Sequence, residues 1–220
     1  ESSGQGARRR AAARAGGIAA SFVMLMAFAL PRTARAQSSP TVVIHLDDTI
    51  QPISADYLKR GIDRAADMHA GAVLVVMDTP GGLLDSMREM VADILASPAP
   101  VIVYVNPSGA RAGSAGFFIM ESSDLAAMAP GTEAGAAHPV IEVGSVSDTM
   151  KEKILNDALA FLRSYVSVRG RGVDAAQEAV THSKSYTADE ALQLHLIDLV
   201  APNIPTLLNE IDGRTVKRFN

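Results

Sequence analysis

Apolar and polar positions change period several times along the chain, and each change predicts an element. Thr41 to Leu46 (TVVIHL) is rich in β-branched residues and predicts a first strand, with His45 a packed or edge residue rather than a ligand. Tyr57, Leu58, Ile62, Ala65, Ala66 and Met68 recur at a helical period and predict a helix from Ser54 to about Ala70, closed by Gly71. Ala72 to Met77 (AVLVVM) is apolar without alternation, as a parallel strand covered on both faces is. Met87, Met90, Val91, Ile94 and Leu95 mark the inner face of a helix from Leu83 to Ala96, stopped by Pro98 and Pro100. Val101–Val105 and Leu125–Ala129 read as two more strands. Strand and helix thus alternate with short connections, which predicts an α/β fold with a mostly parallel sheet.

Helical patterns dominate the rest. They cover Met150 to Val168 and Asp174 to Val180. A capping-box spacing in Thr187-Ala188-Asp189-Glu190 starts another helix that ends near His195. Leu196 to Val200 leads into a last strand, and Thr206 to Ile211 is a short helix after Pro205. Residues 141–149 have no period and read as a mobile segment, with no signal that decides whether it closes over the site; 213–220 read as a frayed end.

The first 36 residues change the picture of where the chain works. A basic stretch from Arg8 to Arg14, an apolar run from Ile18 to Leu30, Pro31, and Ala34-Arg35-Ala36 before Gln37 have the order of a cleaved signal peptide. This predicts export, to the periplasm or the extracytoplasmic face of a membrane. Residues 37–40 are a polar linker, and 41–212 form the folded domain. Six arginines but one acidic residue fall within 1–36, so the remainder, with 14 of the 20 basic and 23 of the 24 acidic residues, carries a formal −9. That balance speaks against nucleic acid as a partner. The absence of cysteine rules out disulfides, a thiolate nucleophile and thiolate-bound metal. No zinc, EF-hand, phosphate-loop or dinucleotide pattern occurs, so neither metal nor cofactor is expected.

Candidate chemistry gathers in two glycine-rich loops. Asp78-Thr79-Pro80-Gly81-Gly82 follows one strand, and Pro107 to Gly116 follows the next. In parallel sheets such loops fall at the same end and converge. Ser114 sits at a strand-to-helix corner of small residues, where unpaired helix N–H groups favour developing negative charge. One loop can then supply a nucleophile and the other a backbone oxyanion donor. A serine needs a base, and two lysines follow, Lys151 and Lys153. They point in nearly opposite directions on a helix. The stripe of Met150, Ile154, Ala158, Leu162 and Tyr165 passes near Lys151 and leaves Lys153 off it, with Asp157 spaced to pair with Lys153. His138 is a third candidate base, for which Asp148 or Asp174 would be the orienting acid.

Six motifs in order carry a family resemblance: Asp78-Thr79-Pro80-Gly81-Gly82, Ala112-Gly113-Ser114-Ala115-Gly116, Met128-Ala129-Pro130-Gly131-Thr132, Gly135-Ala136-Ala137-His138-Pro139, Lys153-Ile154-Leu155-Asn156-Asp157 and Thr187-Ala188-Asp189-Glu190-Ala191. From about residue 41 to about 205 the chain resembles the protease domain of NfeD-type membrane-bound serine proteases of the ClpP class. The resemblance implies a ClpP/crotonase-like fold of stacked strand–helix units and a Ser–Lys dyad. It places the nucleophile on Ser114, the base on Lys153, and the oxyanion donors on Gly82 with Gly81 and on the N–H of Ala115. A helix starting only near residue 153 would reconcile Lys153 with the stripe. The family acts on stomatin-like membrane proteins, cutting apolar stretches, and assembles as homo-oligomers. Its members continue into membrane-spanning and β-barrel regions, which this chain lacks. His195 stands where the family has glycine, at an expected left-handed helix end. Three alternatives remain open: a Ser–His peptidase through His138, a crotonase-type enzyme acting on CoA thioesters, and a non-catalytic scaffold for a stomatin-like partner.

Overall fold

The structure is a computed structural model and describes residues 39–140, 147–216 and 218. The signal-peptide reading of 1–36, most of the expected mobile segment and the last residues of the frayed end lie outside the described residues.

A five-stranded parallel sheet organises the domain, in the order β1-β2-β3-β5-β8. Its strands are β1 (Thr41–Leu46), β2 (Ala72–Met77), β3 (Val101–Val105), β5 (Leu125–Met128) and β8 (Leu199–Val200). Successive side chains of a strand point to opposite faces. Val73, Val75 and Met77 of β2 therefore join the larger core, while Leu74 and Val76 join a smaller one on the far face. Helices α1 (Pro52–Asp67), α2 (Leu84–Ala96), α3 (Ala115–Ser122) and α4 (Asp148–Arg169) bring Leu58, Ile62, Met90, Ile94, Phe117 and Leu162 to the larger core. The far face is covered by α7 (Ile204–Ile211) through Leu207. The remaining helices are α5 (Val173–Thr181) and α6 (Ala188–Gln193).

A second, smaller sheet is not visible as hydrophobic periodicity. It comprises β4 (Arg111–Gly113), β6 (Glu133–Gly135) and β7 (Ser185–Thr187), with β4–β6 parallel and β6–β7 antiparallel. Strands of three residues carry too little alternation to register, and two of these lie inside loops of small residues.

Several expected boundaries move. Helix α1 starts at Pro52, because the Ser54 hydroxyl accepts the N–H of Gln51 at 2.9 Å and so lies inside the first turn. The residue that turns left-handed after α1 is His69 (φ 50°), not Gly71. Helix α4 starts at Asp148, capped by the Ser147 hydroxyl, well before residue 153. Met150 is exposed, and the buried stripe of α4 begins only at Ala158. The last strand shrinks to Leu199–Val200. The capping box at Thr187 is present, and His195 does adopt the left-handed conformation (φ 57°).

Buried charge ties the far ends of α3 and α4 to the sheet. The Asp124 carboxylate accepts the N–H of Val101 at 2.7 Å and pairs with Arg169 at 2.5 Å, both side chains being out of solvent. Arg218 folds back onto the same carboxylate and onto the carbonyl of Pro98. Glu121, in the last turn of α3, is different. It is wholly buried, and neither carboxyl oxygen has a hydrogen-bond partner among the described residues. Burial pushes its carboxyl up to about 8, against the pull of the Arg171 guanidinium. Its proton is therefore held in the folded state and released in the unfolded chain, where a glutamate titrates near ~4.3. Stability contributed by the protonated form is full below that value and is lost as pH rises through about 8. Urea unfolding of the wild type should show falling stability from pH 6 to pH 9, whereas Glu121→Gln should be nearly flat over the same range. Equal slopes for the two proteins would contradict the assignment.

Candidate active site

Pairing between β2 and β3 does not stop where the strands end. Beyond β2, Thr79 donates its N–H to the carbonyl of Arg111 at 2.8 Å and accepts the N–H of Gly113 at 3.0 Å. This bridge, Thr79 with Ala112, draws the two glycine-rich loops together at the carboxyl end of the sheet. The convergence expected from the sequence is therefore observed. Ser114 follows at once. Its N–H donates to the carbonyl of Gly135 at 2.8 Å, so the small sheet holds the corner from the other side.

Ser114 is the N-cap of α3 and is forced to φ 50°, ψ −115°, a conformation that costs a non-glycine residue on the order of 1–3 kcal/mol. Its carbonyl takes the N–H of Phe117 at 3.1 Å, which starts the helix. Its hydroxyl makes no hydrogen bond among the described residues. Ala115, as the first residue of α3, has no carbonyl within the helix to bond, and its N–H finds none outside among the described residues.

The facing loop is packed against the serine. Gly81 (φ +114°) is so close that a Cβ there would lie 2.5 Å from the Ser114 Cβ, hence no side chain fits. The N–H of Gly81 is already used, donated to the Thr79 hydroxyl at 3.2 Å, so this glycine supplies clearance rather than a free donor. The sequence-derived pairing of Gly81 with Gly82 as donors is corrected to that extent. Ile50, buried and outside both loops, brackets Gly82: its N–H donates to the Gly81 carbonyl and its carbonyl accepts the N–H of Leu83, both at 2.8 Å. In a planar trans peptide the N–H points opposite to the C=O. Pinning the Gly81 carbonyl on Ile50 therefore turns the Gly82 N–H the other way, where it has no acceptor among the described residues. Ile50, Thr79 and Gly135 are the residues that sequence reasoning did not single out. Thr79 and Gly135 lie in small-residue loops that were visible, but Ile50 is an apolar residue between elements and gives no signal.

The three candidate bases stand apart from one another. Lys153, in the second turn of α4, is exposed and makes no hydrogen bond or ion pair among the described residues. The expected partner Asp157 binds instead to Arg88 of α2 at 2.5 Å, and Arg88 also lies 4.3 Å over the ring of Phe161. An arginine that reaches a carboxylate and an aromatic face together outcompetes a flexible lysine on the same helix. Lys151 is exposed and pairs with Asp148 at 3.0 Å. His138 is half-buried beyond β6, with Nδ1 2.9 Å from the Val180 carbonyl. A carbonyl only accepts, so Nδ1 carries the proton and Nε2 is left as an acceptor. Neither Asp148 nor Asp174 orients this ring, contrary to expectation. No hydrogen bond joins any of the three bases to Ser114 among the described residues. No three His, Asp or Glu side chains among the described residues converge as metal ligands.

The parallel layered sheet with its strand-to-helix corner at Ser114 is a ClpP-like fold, the fold of a class of serine-protease domains. ClpP1 from Listeria monocytogenes superposes with a TM-score of 0.62 over 75% of this chain and 94% of that chain, at 12% identity, which speaks for the fold. Residues 41–183 match the NfeD1b N-terminal domain, and the chain belongs to that family. It is 36% identical over 203 residues to the membrane-bound protease PH1510 of Pyrococcus horikoshii, covering 91% of this chain and 45% of the relative. It is 29% identical over 188 residues to the membrane protein NfeD1b of Bacillus subtilis, covering 81% and 42%. The chain thus spans less than half the length of these curated relatives. Two solved structures of 1510-N, described as a membrane-bound stomatin-specific protease, superpose with a TM-score of 0.76. One is a serine-to-alanine mutant, 35% identical, covering 81% of this chain and 87% of that chain. The other is a lysine-to-alanine mutant in complex with a substrate peptide, 34% identical, covering 82% and 83%. Among the described residues, no helix is long and apolar enough to cross a membrane.

Strain at the nucleophile position is open to direct measurement. Ser114→Gly should be more stable than Ser114→Ala by about 1 kcal/mol, because only glycine relieves the backbone conformation and part of that relief is offset by greater unfolded-chain entropy. Thermal unfolding compares the two, and an alanine variant as stable as the glycine variant would mean that the corner is not strained.

Proposed function

We propose that this chain is a serine endopeptidase that cuts an apolar segment of a stomatin-like, membrane-associated protein, using Ser114 as nucleophile and Lys153 as base. The observation that carries this reading is Ser114 packed against the Gly81–Gly82 turn, with the N–H groups of Gly82 and Ala115 left without an acceptor among the described residues. A peptide carbonyl held there would be polarised by both. Attack by the Ser114 Oγ forms the C–O bond, and the hydroxyl proton passes to the neutral amine of Lys153. The tetrahedral oxyanion rests between the two N–H groups. Collapse breaks the C–N bond, and the leaving amine takes the proton back from Lys153. Water then attacks the acyl-enzyme by the same route and releases Ser114.

A lysine acts as base only when neutral, and desolvation favours that state. Lys153 lies in the stretch 147–153, where every residue is exposed. Covering this stretch with the substrate or with a second copy of the chain would remove water from the amine, and a homo-oligomer fits that need. The serine and lysine mutants of the relative, the second one bound to substrate peptide, support a reaction that uses these two residue types. The stomatin-like substrate follows from that relative, a stomatin-specific protease, and the exported setting from the signal-like residues 1–36.

One observation favours a second reading. His138 is held by Val180 in the tautomer that leaves Nε2 free to accept a proton, as a Ser–His peptidase requires.

Cleavage of an apolar peptide from a stomatin-like C-terminus separates the readings. Ser114→Ala and Lys153→Ala should each lose at least ~1,000-fold in kcat/KM, while Lys151→Ala and His138→Ala stay within ~10-fold of wild type. Undiminished cleavage by Ser114→Ala rejects a serine protease. A loss with His138→Ala or Lys151→Ala, but not with Lys153→Ala, moves the base to that residue.

A further inference from the structure

We propose that Thr79 is a positioning residue of the oxyanion site: its hydroxyl takes up the Gly81 N–H and, together with Ile50, fixes the Gly81–Gly82 peptide so that only the Gly82 N–H is offered to the substrate carbonyl. This rests on the protease reading above and assigns a role to a residue that does not itself touch substrate.

Thr79 is wholly buried, and each of its parts is engaged. Its backbone N–H and carbonyl bind the nucleophile corner at Arg111 and Gly113. Its methyl group fills the space over Gly116, where a Cβ would lie 2.4 Å from Cγ2. Its hydroxyl is turned back onto its own loop, 3.2 Å from the Gly81 nitrogen and 3.4 Å from the Gly81 oxygen. One side chain thus spans the two halves of the site. Besides Thr79, the Gly81–Gly82 turn is held by the backbone of Ile50. Pro80 and Gly82 are exposed, Gly81 and Gly82 have no side chains, and two successive glycines permit many backbone conformations.

Ile50 fixes the carbonyl side of the Gly81–Gly82 peptide, and Thr79 fixes the peptide before it. Removing the hydroxyl leaves the buried Gly81 N–H without an acceptor. Rotating the Pro80–Gly81 peptide toward water is the cheapest repair, and that rotation carries the next amide off its line. An oxyanion donor is effective only when aimed where charge develops, so the loss falls on the transition state more than on substrate binding.

The test uses the full chain, a fluorogenic peptide of apolar residues, and labelling of Ser114 by a fluorophosphonate, whose phosphoryl oxygen occupies the same donor position. Thr79→Val, which keeps the shape and loses the hydroxyl, should lower kcat by ~10–100-fold with KM within ~3-fold, and should slow labelling in parallel. Thr79→Ser, which keeps the hydroxyl and loses the methyl, should stay within ~3-fold of wild type in kcat. Should the valine variant not fold, Thr79→Ala against Thr79→Ser makes the same comparison, since both lack the methyl and only serine keeps the hydroxyl. The inference is overturned if Thr79→Val turns over as fast as wild type, or if Thr79→Ser loses as much kcat as Thr79→Val or Thr79→Ala; a functioning wild type in those cases leaves the protease reading standing. A wild type that neither cleaves nor labels overturns both.

Discussion

The site depends on backbone pairing that continues past the end of the sheet. Two neighbouring parallel strands would normally diverge into their loops at Met77 and Val105. Here the bonds from Thr79 to Arg111 and Gly113 keep the loops in register for one further step. That extra step sets the distance between the Gly81–Gly82 turn and the Ser114 corner, with the Thr79 side chain touching both. It also explains the density of small residues. Backbones this close leave no room for a Cβ at Gly81 or Gly116, and the sequence there is set by clearance rather than by contact.

The small sheet serves the same end from the opposite side. Strand β4 runs straight into Ser114, and β6 receives the Ser114 N–H through Gly135. The strained serine backbone is held by neighbours on both flanks, the condition under which such strain persists. Behind it, α3 is buried along its whole length, and Tyr165 of α4 bonds the Phe118 carbonyl at 3.2 Å. The helix that begins at Ser114 is therefore set in the core, while the helix carrying Lys153 begins in solvent. A rigid serine and an exposed lysine are the two unlike halves of the candidate dyad.

The large sheet and its covering helices were legible in the sequence, since five apolar runs alternate with helical stripes long enough to show their period. The convergence of the loops followed from parallel order alone. Strands β4, β6 and β7 were not legible, because runs of three residues, Arg-Ala-Gly, Glu-Ala-Gly and Ser-Tyr-Thr, are too short to show a pattern. The fate of Asp157 was misread for a different reason. Spacing on one helix pointed to Lys153, but the competing cation, Arg88, is far away in the chain, and only the fold brings it near. Ile50 shows the same limit: its importance lies in its backbone, which pairs on both sides of Gly82 and leaves no mark on residue type.

The buried carboxyl of Glu121 gives the protein an upper edge to its working range that has nothing to do with the reaction. An amine base gains from alkaline conditions, since more of it is free to take a proton. Glu121 loses from them, because raising the pH asks a wholly enclosed carboxyl with no hydrogen-bond partner among the described residues to take on charge, seven residues along the helix that Ser114 begins. The two ionisations pull in opposite directions. At high pH the helix that Ser114 begins is the part of the scaffold that would loosen first.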